Sequence, residues 1–418
     1  MRFTFPDGFT WGTATAAHQV EGNNTNSDFW LLEHTPGTLF AEPSGDACDH
    51  FWRYPEDIGL LAQLGFNSYR FSFEWARIEP EEGHFSVAAL DHYRRMLASC
   101  RAHNVMPCVT FHHFTSPRWF TADGGWEEQR NVDRFLRYCE RATQHLGDLV
   151  GMACTINEAN LTAMLSATHV LPPGGLKSVA GFVAETARRS STTLERFAPH
   201  LLGHPLKIRD TMLAAHVRAR DVIKGGRGDF PVGVTLSLTD FQAVPGGEAR
   251  RDQARAISDL PFFEAARHDD FVGVQTYSRE RFDADGPLGP ESGVPTLIMG
   301  YEFWPEALEA TIRHASEHAR VPIYVTENGI GTTDDAQRIT YVRRALNGVV
   351  RCLRDGIDIR GYFYWSLMDN FEWLFGYGPQ FGLIAVDRAT QMRAAKPSAH
   401  WLGQIARTNS FDPDSTSP

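Results

Sequence analysis

Eight short apolar runs, rich in β-branched and aromatic residues, recur along the chain, and each is followed by a longer helical pattern. They are "FTWGTATA" (9–16), "FNSYRFS" (66–72), "VMPCVTF" (105–111) and "GMACTIN" (151–157), then "PVGVTLSL" (231–238), "FVGVQTY" (271–277), "VPIYVTE" (321–327) and "IRGYFYWS" (359–366). Between them lie stretches such as "VDRFLRYCERATQHLGDLV", whose apolar residues return every three or four positions, the period of a half-buried helix. Strands alternating with helices pair in parallel through βαβ units, and eight such units predict a closed (β/α)8 TIM barrel of class α/β. An open doubly wound sheet wants a glycine-rich phosphate turn after a strand, and neither GxGxxG nor GxxxxGK(S/T) occurs in that context. The length beyond a minimal barrel falls after the first run (17–60) and between the fourth and fifth (158–230), as extended βα loops. No Gly/Ser- or Pro-rich linker divides the chain. The expectation is one catalytic domain over 1–407, with "TNSFDPDSTSP" (408–418) as a flexible tail.

In such barrels the chemistry sits at the C-terminal ends of the strands. Nearly every run here ends on polar or aromatic residues. The ends carry Gln19 and Glu21, Arg70, His112 and His113, Asn157 and Glu158, Gln275 and Tyr277, Glu327, and Trp365. Neighbouring residues on a strand point to opposite sides, so only one of His112 and His113 can face a cavity.

Glu158 follows the fourth run and Glu327 ends the seventh, which face each other across the mouth of an eight-stranded ring. Two carboxyls on opposite sides of one cavity are what glycoside hydrolysis requires: one protonated to donate to the departing oxygen, the other ionised to attack. Arg70 is a fixed positive charge that would hold a nearby Glu327 ionised, and Tyr277 can donate to the same carboxylate. Glu158 has Asn157 beside it and no evident cation, so burial and repulsion from Glu327 can raise its pKa. Glu327 is therefore the expected nucleophile and Glu158 the acid/base. A sugar also needs polar groups around its rim and an aromatic platform under its face. Gln19, His113, Asn157 and Glu372 suit the rim, and Trp365 and Trp373 the faces.

Composition removes other classes. A net charge of −11 speaks against nucleic acid or an anionic membrane as the partner. Six cysteines scattered among apolar neighbours without a CxxC pair read as free buried thiols. The N-terminal "MRFTFPDGFTWGTATA" lacks the apolar core of a signal peptide and no long apolar run occurs, so a cytoplasmic location is expected. His314 and His318 stand four apart in "HASEH" without a suitably spaced third ligand, and "RRDQAR" (250–255) reads as a solvated helix face.

Taken together the motifs resemble the β-glucosidase-type family 1 glycoside hydrolases. The resemblance runs from "FTWGTATAAHQVEG" through "ACDHFWRYPEDIGLLAQLGFNSYRFSFEWARIEP", "TFHHFTSPRWF", "TINEAN" and "VTENG" to "WSLMDNFEWLFGYGPQFGLIAVD". It implies that Glu158 is the acid/base and Glu327 the nucleophile. It further implies that Gln19, His113, Asn157, Glu372 and Trp373 bind hydroxyls of the terminal sugar. Trp365 would form its platform, and Arg70 and Tyr277 would support the nucleophile; Gln275 and Tyr277 complete the expected substrate-binding set. Members acting on 6-phosphorylated sugars replace the glutamate at position 372 and add a lysine nearby. Here "NFEW" keeps an anion and "LFGYGPQFG" has no lysine, so an unphosphorylated sugar is expected. Four positions depart from the family pattern. Ala159 stands for a proline after the acid/base, Gln275 for an asparagine, Phe114 for a tryptophan, and Tyr301, at the aglycone site, for another tryptophan.

The expected function is a retaining exo-β-glycosidase that removes terminal β-D-glucosyl residues from small β-glycosides or oligosaccharides, with no metal or organic cofactor. β-Galactosidase or β-fucosidase specificity, transglycosylation in the same site, and a non-catalytic sugar-binding protein stand as alternatives. The sequence leaves the oligomeric state open.

Overall fold

The computed structural model describes residues 2–172, 174–176 and 180–413. Eight parallel strands close into a barrel: β1 (Thr10–Ala14), β2 (Ser68–Ser72), β3 (Met106–His112), β4 (Met152–Ile156), β5 (Val232–Ser237), β6 (Phe271–Gln275), β7 (Ile323–Asn328) and β8 (Ile359–Trp365). Each pairs with its neighbours in sequence, and β8 returns to β1 through Gly361–Thr10 to Trp365–Ala14. All eight expected strands form, a residue or two shorter at most ends. The fold is the (β/α)8 barrel that the alternation predicts.

Apolar side chains pack on two surfaces. Outside the barrel, strand residues such as Val109, Val234, Val274 and Val325 meet the inner faces of the surrounding helices in one continuous core. Inside, Cys108, Met152, Cys154, Phe271 and Phe363 form a separate plug. Gly12 lies against the Phe363 ring, where a Cβ would collide with it, so glycine at this position makes room for the plug. Above the plug the inward residues turn polar, and there the barrel opens.

The long loops carry small structures of their own. The segment after β1 holds a short helix, Asp28–Glu33, before the barrel helix His50–Leu64. That between β4 and β5 holds Leu161–Ala167, Gly181–Arg189 and Pro205–Lys224. Phe29, Phe40, Phe182 and Phe197 from these loops, with Phe114 after β3 and Phe371 after β8, form a second core over the barrel mouth. All six cysteines are free and buried. No helix among the described residues is long and apolar enough to cross a membrane.

The chain end differs from the expected boundary. The last helix runs Pro397–Thr408, across the position where a tail was expected to begin. After it, Ser410–Phe411 pairs antiparallel with Phe3–Thr4, the Asn409 side chain accepts from the Trp11 indole at 2.9 Å, and Phe411 is only 4% exposed. An aromatic residue and an amide with matching partners outweigh the polar composition around them. Residues 414–418 of the expected tail lie outside the described residues. Emptying a buried phenyl site typically costs about 3 kcal/mol or more. Phe411→Ala should therefore lower the free energy of chemical unfolding by about 3 kcal/mol; an unchanged denaturation midpoint would show that this segment contributes nothing.

Candidate active site

The polar strand ends converge on Glu327. The Arg70 guanidinium, fully buried on β2, donates from Nη1 to Glu327 Oε1 at 2.6 Å and from Nη2 to Asn157 Oδ1 at 2.5 Å. Gln275 Nε2 donates to the same Glu327 oxygen at 2.8 Å and to Asn157 at 2.9 Å. On the other oxygen, Oε2, the Tyr277 hydroxyl donates at 2.6 Å. Glu327 stands opposite Gln275 across β6 and β7, just past a shift in their register, so two strands and one following loop aim their donors at one carboxylate. Gly329, just past Glu327, passes so close to the Trp365 carbonyl that any Cβ would collide with it, which accounts for glycine in "TENG".

These contacts set the ionisation. Burial holds the Glu327 carboxyl above its ordinary value, and the Arg70 charge and the hydrogen bonds from Tyr277, Arg70 and Gln275 offset that rise in part. Glu158 has less help. Burial first, then the Glu327 charge, pushes it well above the usual carboxylate range; the Ser237 hydroxyl and more distant Arg70 oppose this only weakly. The two carboxyls line one cavity of about 700 Å³ in unlike surroundings. His113, also on the wall, is held well below its usual pKa by burial and by Arg70, so its ring is neutral.

Around the carboxyls the wall is aromatic. Trp365 and Trp373 both line it, and the His113 ring lies nearly parallel to each, at 5.7 and 6.2 Å. Phe114 packs edge-on against Trp373 at 5.1 Å, so the smaller ring keeps its hydrophobic contact. Tyr277, Tyr301 and Glu372 also reach the wall.

Gln19 and Gln275 do not. Both are fully buried and stand behind the lining residues, their amide donors engaged by protein. Gln19 Nε2 donates to the Phe371 carbonyl at 2.7 Å and to Glu372 Oε2 at 3.3 Å. Gln275 is thus placed to position Glu327 more than to line the sugar pocket, as its extra methylene lets the amide span Glu327 and Asn157 together. Glu372 likewise departs from the expected anion: burial and the Glu327 charge push its carboxyl up to about 8, against the Gln19 hydrogen bond. At neutral pH it is mostly a neutral group that both donates and accepts. Positive charge on the wall is scarce among the described residues. Arg279, the one Lys or Arg on the wall among the described residues, is paired with Glu302 and Glu291 at 2.6 and 2.7 Å.

Two other strand-end residues lie elsewhere. Glu21 pairs with Arg77 at 2.8 Å, and His112 points outward to Ser116 and the Trp126 indole. Conversely, sequence reading passed over Ser237, at the end of β5, which bonds to Glu158. It also missed His18, which stacks on Trp373 at 5.8 Å and meets Glu33 at 2.6 Å. The signal for Ser237 was position alone, a polar residue closing the fifth run; His18 sits beside Gln19 in "AAHQVEG".

The chain is similar to known proteins over nearly its whole length. The family model of glycosyl hydrolase family 1 matches residues 1–286 and 283–411. The chain is 29% identical to β-glucosidase A of Thermotoga maritima, over 98% of this chain and 99% of that protein. It is 31% identical to the bifunctional β-D-glucosidase/β-D-fucosidase of Bifidobacterium breve, over 98% of this chain and all of that one. Among solved structures, that of β-glycosidase BGL167 superposes with a TM-score of 0.94 at 53% identity, covering 99% of both chains. The chain belongs to glycosyl hydrolase family 1.

Proposed function

We propose that this glycoside hydrolase is a retaining exo-β-glycosidase acting on terminal β-D-glucosyl residues. The observation that carries the proposal is the asymmetry of the two buried carboxyls: Glu327 receives a guanidinium, a phenol and an amide, while Glu158 receives one hydroxyl. Glu327 attacks the anomeric carbon. The bond to the leaving oxygen breaks, its electron pair stays on that oxygen, and the proton of Glu158 goes to it. Glu158, now a carboxylate, takes a proton from water, whose oxygen displaces Glu327 and releases the sugar with its original configuration. The neutral imidazole of His113 and the carboxyl of Glu372 would hold hydroxyls, Asn157 would hold the one nearest the reacting carbon, and Trp365 and Trp373 would receive the ring. Glu372 and Trp365 are buried at the inner end, whereas Leu39 and Val170 at the other end are exposed, which supports removal of a terminal residue. The names of the relatives support glucose and fucose as sugars the pocket accepts. Six unpaired thiols support a cytoplasmic setting.

Three measurements test this reading. Glu327→Ala should lower kcat on p-nitrophenyl β-D-glucoside by about 10⁴-fold or more; a rate near wild type would remove Glu327 from the chemistry. The first sugar released, followed by proton NMR, should be the β anomer, and an α anomer would mean inversion. Tyr277→Phe removes a donor from the Glu327 carboxylate. Its loss should cost about ten- to a hundredfold in kcat/KM and move the acid limb of the pH profile upward, since a carboxylate losing a hydrogen bond binds its proton more tightly. An acid limb that stays in place would show that the limb belongs to another group.

A further inference from the structure

The cavity that holds the carboxyls continues outward past Glu158, and its character changes there. The short helix Leu161–Ala167 starts three residues after Glu158 and brings Met164 and Leu165 to the wall; Val170, Leu171, Leu201 and Leu238 continue it. Nine large apolar side chains are exposed among the described residues, and three of them, Leu39 (51%), Val170 (64%) and Phe375 (44%), line this one cavity. Exposed apolar groups collected at the rim of a cavity mark a place where apolar surface is covered by something.

Most polar groups at this end are committed inside the protein, Glu280 through one oxygen that accepts from the Arg281 and Gly289 amides at 2.9 and 3.1 Å. Arg279 is held by Glu302, Glu291 and Gln242. The Ser278 hydroxyl donates to the Glu302 carbonyl at 2.8 Å and the Thr168 hydroxyl to the Met164 carbonyl at 3.0 Å. The Thr239 and Tyr301 hydroxyls are directed at the sulfurs of Met164 and Met299, at 3.8 and 3.9 Å. At the inner end the opposite holds: His113 Nδ1, on the wall, is buried without a partner, as are Gln19 Oε1 and Gln275 Oε1 behind it. A second sugar would bring a ring of hydroxyls to an outer wall that has few hydrogen bonds to return, and desolvating hydroxyls without partners is unfavourable. A flexible hydrocarbon chain would lose nothing there and gain the burial of its methylenes.

We propose that the leaving group this site is built for is an aliphatic alcohol with a chain of several carbons, so that alkyl β-glycosides are better substrates than β-linked disaccharides. The proposal rests on the glycosidase reading above and names the other half of the substrate. The alcohol oxygen leaves with the Glu158 proton, the chain lies along Met164, Leu165 and Leu171, and water completes the turnover as before.

The test is kcat/KM for methyl, butyl, hexyl and octyl β-D-glucoside below their micelle concentrations, with cellobiose beside them and p-nitrophenyl β-D-glucoside as the control for catalysis. The value should climb about threefold per added CH₂ until the chain reaches the rim, leaving octyl glucoside about tenfold or more above cellobiose. Leu165→Gln and Val170→Asp, one inside the passage and one at its edge, should each shrink the octyl-to-methyl ratio by about fivefold or more. A flat series, a preference for cellobiose, or a ratio indifferent to both variants, with the nitrophenyl glucoside still cleaved, would overturn the aliphatic assignment and leave the glycosidase standing. Failure to cleave any glycoside, the control included, would overturn the glycosidase reading and this inference with it.

Discussion

A fully buried guanidinium fixes the whole site. Arg70 has no exposed surface, and taking a cation out of water costs several kcal/mol unless its donors are matched. Its partners are Glu327 on β7, Asn157 just after β4 and, at longer range, Thr235 on β5. Only a closed barrel brings these strands to face one another, so the ion pair and the fold depend on each other. Removing either charge would leave the other stranded in the interior, which makes the catalytic layer part of the structural core. The plug of Cys108, Met152, Cys154, Phe271 and Phe363 beneath it keeps water from reaching the pair from below.

That arrangement makes two chemically identical side chains different. Glu327 shares its negative charge among Arg70, Gln275 and Tyr277. Tyr277 itself is held well above its ordinary pKa by burial and by Glu327, so it remains a donor. Glu158 is left with Ser237 and the repulsion of two other carboxyls. Glu372 adds a third state, largely neutral below about 8, near enough to Gln19 to be steered by its amide. The cavity thus contains a held anion, a proton donor and an ambivalent hydrogen-bonding group without a metal ion being required by the chemistry.

Much of this was legible in the sequence because it follows from period and position. Alternating strands and helices specify the barrel, a barrel specifies where strand ends meet, and Arg70, Asn157, Tyr277 and Glu327 sit at those ends. What escaped was set by tertiary packing. Ser237 closes a strand like the others but is a common turn residue, and only its distance to Glu158 gives it a role. His18 works from behind Trp373, through ring stacking that no spacing reveals. Glu158, Phe114 and Trp373 adopt left-handed backbone angles, φ of 46°, 67° and 50°, which cost about 1–2 kcal/mol each and are stabilised by surroundings distant in sequence. Gln275 and Gln19 have their amide donors on neighbouring carboxyls and carbonyls and their own carbonyl oxygens unpaired, an arrangement that position at a strand end does not reveal. The anion expected of Glu372 assumed a solvated carboxylate, and burial removes that assumption. The chain end was judged on its polar composition, whereas Asn409 and Phe411 each find a specific partner.

The central claim is that Glu327, held ionised by Arg70, forms the bond to sugar. The most direct test is to incubate the enzyme with a 2-deoxy-2-fluoro-β-glucoside bearing a good leaving group, which slows release of any covalent intermediate, and to map the modified residue by peptide mass spectrometry. The account predicts one fluoroglucosyl group per chain, carried by the peptide containing "YVTENG" and located on Glu327. A label on Glu158, or inactivation with no covalent label at all, would contradict it.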